Sequence, residues 1–222
     1  VIERRERMKK DTIAALKQAI WDYDSAEANR LAKESLEAGV DPLETLDALT
    51  EAIRVVGTKF GTGELFLPEL IAAAEAMSKA TTPLEEEIKE QGKTKKSLAK
   101  VVVGTVFGDI HDIGKNMVAT LFKASGFDVV DCGVNVKADA FLQKVGEENA
   151  DILALSALLT TTAPEQRKTI NALKEAGIRD KVKVIVGGGG ITRKFADDIG
   201  ADGYDATASG AVGLCKNLMG IE

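Results

Sequence analysis

Apolar positions recur at helical spacing through the first part of the chain. Ile13, Leu16 and Ile20 share one face. Asp24 stands where the next helix needs a cap, and Ala28, Leu31, Ala32, Ser35 and Leu36 form an apolar or small face beyond it. Gly39 ends that helix, and Asp41-Pro42 restarts the chain with a cap followed by proline at the first helical position. Leu43, Leu46, Leu49, Ile53 and Val56 then run to about Phe60, where Gly61-Thr62-Gly63 breaks the pattern. Pro68 opens a further helix through Leu70, Ala73, Ala74 and Met77. Thr81-Thr82-Pro83 is expected to kink or split it before Leu84 to Glu90. Four amphipathic helices joined by short loops predict an antiparallel bundle.

Gly92-Lys93-Thr94-Lys95-Lys96-Ser97 is polar and basic. It reads as a linker or as an ordinary solvated face. Beyond it the pattern alternates between strand and helix. Val101-Val102-Val103 starts an apolar strand, a helix covers Lys115 to Ala124, and Phe127 to Val130 form a second strand. A helix near Asp139 to Glu148, the strand Ile152 to Leu155, a helix near Pro164 to Ala176 and the strand Val182 to Val186 follow. A helix near Lys194 to Ile199, a short strand at Gly203-Tyr204 and a last helix near Val212 to Met219 complete the series. Apolar strands alternating with helices predict a parallel sheet covered on both faces, and such sheets bind ligands beyond the carboxyl ends of their strands. The expected division is therefore 1–91 helical cap, 92–97 linker and 98–222 sheet domain.

Composition narrows the function. Of 222 residues, 45% are apolar, enough for packed cores, and the net charge of −6 argues against nucleic acid as a partner. No apolar run is long enough to span a membrane, and the charged opening residues lack the apolar stretch of a signal peptide, so a cytoplasmic protein is expected. Cys132 and Cys215 form no CxxC. Reduced thiols are the expectation and a disulfide the alternative.

The single histidine, His111, stands in Gly108-Asp109-Ile110-His111-Asp112-Ile113-Gly114, directly after the first predicted strand. Neutral imidazole is a common metal ligand, and Asp109 can hold its other nitrogen. Gly108 and Gly114 let the backbone bend and a bulky ligand approach. A surface histidine with a local hydrogen bond is the alternative. One histidine cannot build a zinc site, which takes three or four protein ligands. A metal already held by a macrocycle needs only an axial ligand. The loop has neither GxGxxG nor a Walker lysine pattern, although Asp131 could imitate a ribose-binding acid.

The third strand leads into Ser156-Ala157-Leu158-Leu159-Thr160-Thr161-Thr162 and the fourth into Gly187-Gly188-Gly189-Gly190. Hydroxyls there can bond a buried polar ligand and glycines can leave a channel, or they can serve as helix caps and a flexible turn. With the histidine loop they complete an ordered set: DxHxxG at Asp109 to Gly114, SxL at Ser156 to Leu158 and GG at Gly187-Gly188. This set resembles the cobalamin-binding module of methionine synthase and of the small corrinoid proteins of methyltransferase systems. The stretch Phe60 to Leu70 is similar to their helical cap, so the likeness covers nearly the whole chain.

The resemblance implies a four-helix-bundle cap followed by a flavodoxin-like, doubly wound parallel five-stranded sheet. It implies a cobalamin or related corrinoid, methylated during turnover, with His111 replacing the cofactor's own base on cobalt. Asp109 then holds the imidazole and Thr162 extends that relay, with Gly108, Ile110, Asp112 and Gly114 completing the loop. Ser156 and Thr160 correspond to the slot for the displaced nucleotide tail, Gly187 and Gly188 to its glycine wall and Ala208 to a position near the tail, with Leu158 of the SxL motif a further cofactor-binding residue and Phe60 and Leu67 the cover over the methyl group. The implied role is to accept a methyl group from a substrate-specific methyltransferase, of methylamine or betaine type, and deliver it to an acceptor methyltransferase, with a reductive activase as a third partner. The bundle must then move aside during turnover, with 92–97 as hinge. That no substrate domain follows the sheet favours a free-standing carrier. A corrinoid-dependent sensor and the small cobalamin subunit of a mutase are the competing family readings.

Overall fold

The computed structural model describes residues 2–91 and 97–221, with side chains from residue 9 onward. The predicted linker falls, except for Ser97, outside the described residues. The chain forms two compact units, residues 1–96 and 97–222.

The first unit is four helices: α1 (Ile2–Trp21), α2 (Ser25–Glu37), α3 (Pro42–Gly61) and α4 (Leu67–Glu90). Asp24 caps α2 by accepting the Glu27 N–H, and Asp41 caps α3 by accepting the Leu43 N–H ahead of Pro42. Leu16, Ile20, Leu31, Leu46, Leu49, Ile53, Leu70 and Leu84 are buried between the helices.

α4 departs from expectation. It runs unbroken through Pro83. Proline removes a backbone donor and leaves the carbonyl four residues earlier without its helical partner. That carbonyl belongs to Lys79, and Asn29 Nδ2 of α2 donates to it at 2.6 Å. A side chain from the neighbouring helix replaces the missing bond, so the helix continues.

The second unit is a five-stranded, all-parallel sheet in the order β2-β1-β3-β4-β5. Its strands are β1 (Lys100–Thr105), β2 (Asp128–Asp131), β3 (Ile152–Ser156), β4 (Lys183–Gly187) and β5 (Gly203–Tyr204). Its helices are α5 (Ile113–Ala124), α6 (Ala138–Glu148), α7 (Pro164–Glu175), α8 (Arg193–Ile199) and α9 (Ala208–Leu218), with a short 3-10 turn at Arg179–Lys181 that the pattern did not suggest. Alternate residues of the central strands enter opposite cores. Val101, Val103, Ile152, Ala154 and Ile185 pack with Phe122 of α5 and Cys215 of α9. Val102, Leu153, Leu155, Val184 and Val186 pack with Phe141 of α6 and Ile170 of α7. The doubly wound architecture expected from the sequence is present. Both cysteines are free thiols, and among the described residues no helix is long and apolar enough to cross a membrane.

The order of this sheet reverses between β1 and β3, whose carboxyl ends open the crevice characteristic of such folds. The loops that follow them carry the candidate chemistry.

Candidate functional site

The chain leaves β1 at Thr105 and turns at Gly108, whose φ of 78° is in the left-handed region open to glycine. The turn drops Asp109 beneath the loop. Its side chain is fully buried, while that of His111 remains 47% exposed. Burying a carboxylate costs several kcal/mol unless donors surround it. Asp109 Oδ1 accepts the His111 backbone N–H at 3.0 Å and faces His111 Nδ1 at 2.7 Å. Oδ2 accepts the Leu158 N–H at 2.8 Å and the Thr162 hydroxyl at 2.7 Å, with the Leu159 N–H at 3.4 Å. Burial alone would raise the Asp109 pKa. The hydrogen bonds from Thr162, His111 and Leu158 outweigh it and hold the carboxyl well below the usual carboxylate range.

An ionised Asp109 fixes the tautomer of a neutral His111: the proton sits on Nδ1 and the lone pair on Nε2. The loop is held from a second side as well, because buried Thr105 donates its hydroxyl to the His111 carbonyl at 2.9 Å. A plain surface histidine would need none of this buried support.

Exposed apolar side chains gather at the same edge of the sheet as His111. Among the described residues of the sheet unit, the exposed large hydrophobic side chains are Phe107, Ile110, Ile113, Val134, Leu158 and Leu159. All six follow β1, β2 or β3 at the carboxyl edge of the sheet. Ile110 and Ile113 are each 73% exposed. Apolar patches of this kind mark ligand or partner sites.

The other predicted residues divide. Ser156, half-buried at the end of β3, gives its carbonyl to Val106 N–H, and Thr160 is exposed in the same loop. Thr162 does not cap α7, whose N-cap is Ala163 without a side-chain bond; its hydroxyl goes to Asp109 instead. Gly188 has φ 118°, and a Cβ there would come within 2.0 Å of the Ala157 carbonyl oxygen. At Gly190 a Cβ would fall 2.8 Å from Leu158 O. At these two glycines the β4 loop packs closely on the β3 loop. Gly187 differs, since a Cβ there meets only Asp205 O, at 3.8 Å. Ala208 is half-buried at the first turn of α9, just beyond β5. Asp112 is exposed and accepts from Asn116 Nδ2. Gly114 lies within α5 without positive φ, so it does not bend the chain, but a Cβ there would meet open space. Phe60 and Leu67 belong to the helical unit and are half-buried, outside its sealed core, and their neighbour Phe66 is 72% exposed.

Several contributors escape sequence reasoning. Asn135 accepts the Gly108 N–H through Oδ1 at 2.8 Å and donates its own N–H to the Asp109 carbonyl at 2.9 Å. Buried Gln166 donates to Leu155 O and Gly187 O, tying β3 to β4 beneath the site. Buried Lys115 pairs with Asp131 Oδ2, and Gly133 N–H occupies Asp131 Oδ1. Asp131 is thereby engaged on both oxygens within the protein. Lys115 was legible only as the start of a helix, directly after the DxHxxG motif. Nothing local distinguished Asn135 or Gln166.

Fold and site together define a doubly wound sheet that presents one carboxylate-braced imidazole from its switch point through an apolar rim. Among the described residues no three His, Cys, Asp or Glu side chains gather in a way that could hold a metal ion. A B12 binding domain family matches residues 99–212, and a second family of that description matches residues 12–85. The trimethylamine corrinoid protein of Methanosarcina barkeri is 44% identical over 214 residues, covering 96% of this chain and 99% of that protein. The structure of the methanol:cobalamin methyltransferase complex from Methanosarcina barkeri matches with a TM-score of 0.87 at 31% identity, over 95% of this chain and 80% of that one. A cobalamin-binding protein from Desulfitobacterium hafniense matches with a TM-score of 0.68 at 35% identity, over 92% of this chain and 97% of that one. The chain belongs to the corrinoid-protein family and binds a cobalamin-type corrinoid.

Proposed function

We propose that this protein is a methyl carrier that works between two methyltransferases, with His111 Nε2 as its ligand to the corrinoid's cobalt. The observation that carries the reading is the division of the imidazole. Nδ1 is tied at 2.7 Å to a fully buried carboxylate, while the ring stands half-exposed at the sheet edge that carries the exposed apolar side chains. That donor set fits a macrocycle-bound metal, which needs one axial nitrogen and an apolar surface for its ring.

When bound, the corrinoid supplies the metal centre that carries the methyl group. The chain's own residues position and tune it. Asp109 keeps the proton on Nδ1 and makes Nε2 more electron-rich, and Thr162 with the Leu158 N–H keeps Asp109 charged. Ile110, Ile113 and Leu158, exposed at the same sheet edge, would offer the corrinoid apolar surface. Ser156, Thr160, Gly187 and Ala208 are the residues we assign to the displaced nucleotide tail, and Phe60 and Leu67 to the shield over the methyl group.

The name of the trimethylamine relative supports a methylamine-type donor, and the methanol complex supports a methyltransferase as direct partner. A reductive activase would restore the protein after adventitious oxidation. The primary test is the visible spectrum after reconstitution with hydroxocobalamin. The wild type should show a histidine-ligated corrinoid and His111→Ala should lose that signature. Uptake with the cofactor's own base still on the metal would defeat the assignment. Donor identity follows from presenting 13C-methyl-labelled trimethylamine, dimethylamine, monomethylamine and glycine betaine with their methyltransferases and reading which label reaches the protein.

A further inference from the structure

The loop after β2 lies against the His111 loop, and one residue makes the connection from both sides. Val136 pairs with Val106 in an isolated parallel bridge that prolongs the β1–β2 contact. Asn135, just before it, has φ 56°, a left-handed conformation that asparagine tolerates better than most residues. In that conformation its Oδ1 accepts the Gly108 N–H at 2.8 Å, and its own N–H reaches the Asp109 carbonyl at 2.9 Å. The Phe107–Gly108 and Asp109–Ile110 peptide groups, on either side of the Gly108-Asp109 pair, are thus gripped by a single residue 27 positions from Gly108. Gly108 is itself left-handed, at φ 78°, in a turn closed by the Asp109 N–H to the Val106 carbonyl at 3.1 Å.

The clamp has its own anchor. Asp131 Oδ1 accepts the Gly133 N–H, and Asp131 Oδ2 pairs with Lys115, a 3%-exposed residue in the first turn of α5. Gly133 in turn accepts the Thr105 N–H, and Thr105 holds the His111 carbonyl. The β2 loop is therefore braced by the residues that flank the histidine loop.

We propose that Asn135 is a positioning residue for His111: its grip on Gly108 and Asp109 fixes the plane of the Asp109 carboxylate and so the direction of His111 Nε2. The consequence for a bound corrinoid rests on the reading given above, but the clamp itself concerns this chain alone. The hydrogen bonds of Asn135 go to Gly108 and Asp109 and not to the imidazole, so it acts through Asp109.

Two variants separate side chain from backbone. Asn135→Gly keeps the left-handed turn and the N–H to Asp109 but removes the acceptor, whereas Asn135→Asp keeps an acceptor in place. The chain contains one histidine, so 15N NMR of the corrinoid-free protein gives a single pair of imidazole nitrogen signals. The wild type and Asn135→Asp should show one protonated Nδ1 and one unprotonated Nε2. Asn135→Gly should move both signals towards the average of the two tautomers. After reconstitution with hydroxocobalamin, Asn135→Gly should hold the corrinoid about tenfold more weakly, as expected for an outer support of a metal ligand, and lose part of the histidine-ligated spectrum. Wild-type nitrogen signals and wild-type retention in Asn135→Gly, with only a lowered melting temperature, would reduce Asn135 to a loop brace and overturn the proposal. Equal changes in both variants would overturn it too, since the acceptor would not be the cause. Failure of the wild type to take up hydroxocobalamin would sink the corrinoid reading, leaving the NMR comparison to judge the clamp.

Discussion

Thr162 Oγ1 lies 2.7 Å from Asp109 Oδ2, across 53 residues of sequence. The same hydroxyl is 3.0 Å from Leu159 O, and with one proton to give it favours the charged, nearer acceptor. It holds the oxygen of Asp109 that His111 does not use. Thr162→Val keeps the shape and removes the donor. Hydrogen bonds to buried charges contribute about 1.5–3 kcal/mol, so that loss is expected in urea unfolding. Thr162→Ser retains the bond and should lose less than Thr162→Val. Equal losses in the two variants would assign the effect to packing.

Asp109 gives the protein a specific acid sensitivity. Its folded pKa lies below the ordinary carboxylate value because four close donors outweigh the burial that would raise it. Below that ordinary value the unfolded chain binds the proton first, so stability rises with pH through the region between the two pKa values. The contribution is complete above the unfolded pKa and is lost as pH falls towards the folded one. Asp109→Asn should destabilise by about 3 kcal/mol near neutrality, since it sets an amide N–H against donors. The gap between variant and wild type should narrow as the pH is lowered from about 5 to about 3. A gap that stays constant over that range would show that Asp109 titrates alike in both states.

How much of this could be read in advance depended on where each residue's partner lies. β3 and β4 are buried on both faces and therefore spell continuous apolar runs, Ile152 to Leu155 and Val184 to Val186. Asp109 and His111 are two positions apart, so their bond was legible as a local pattern. Asn135 and Gln166 act on backbone groups of distant segments, a loop for one and strand ends for the other, and a backbone partner leaves no residue type in the sequence to pair with. The glycines at 187–190 announced small size but not its cause. At Gly188 and Gly190 the space is filled by the Ala157–Thr160 backbone, which only the folded chain brings there.

That distinction within the glycine run is measurable. Gly188→Ala must shift either loop, because its Cβ would stand 2.0 Å from Ala157 O at a φ of 118°. The displaced β3 loop carries the Leu158 N–H that Asp109 uses. Gly188→Ala should therefore lower stability by about 2 kcal/mol or more and weaken histidine ligation together. Gly187→Ala meets ordinary contact and should melt within a degree or two of wild type, and any loss of corrinoid affinity there would come from the ligand slot itself. Equal melting temperatures for wild type and Gly188→Ala would refute the packing argument.

The helical unit offers a test independent of any cofactor. Pro83 leaves the Lys79 carbonyl without a helical donor, and Asn29 Nδ2 supplies one at 2.6 Å. Asn29→Ala should cost about 1 kcal/mol in urea unfolding, the usual net worth of such a bond. In a Pro83→Ala background residue 83 regains its N–H and can bond Lys79 O itself, so Asn29→Ala should cost less there. The difference between the two costs is the coupling energy of the cycle and should be at least about 0.5 kcal/mol. Strict additivity would mean that the asparagine does not substitute for the missing helical bond, and that the continuity of α4 through Pro83 comes from the apolar packing of Leu84 and Ala80 alone.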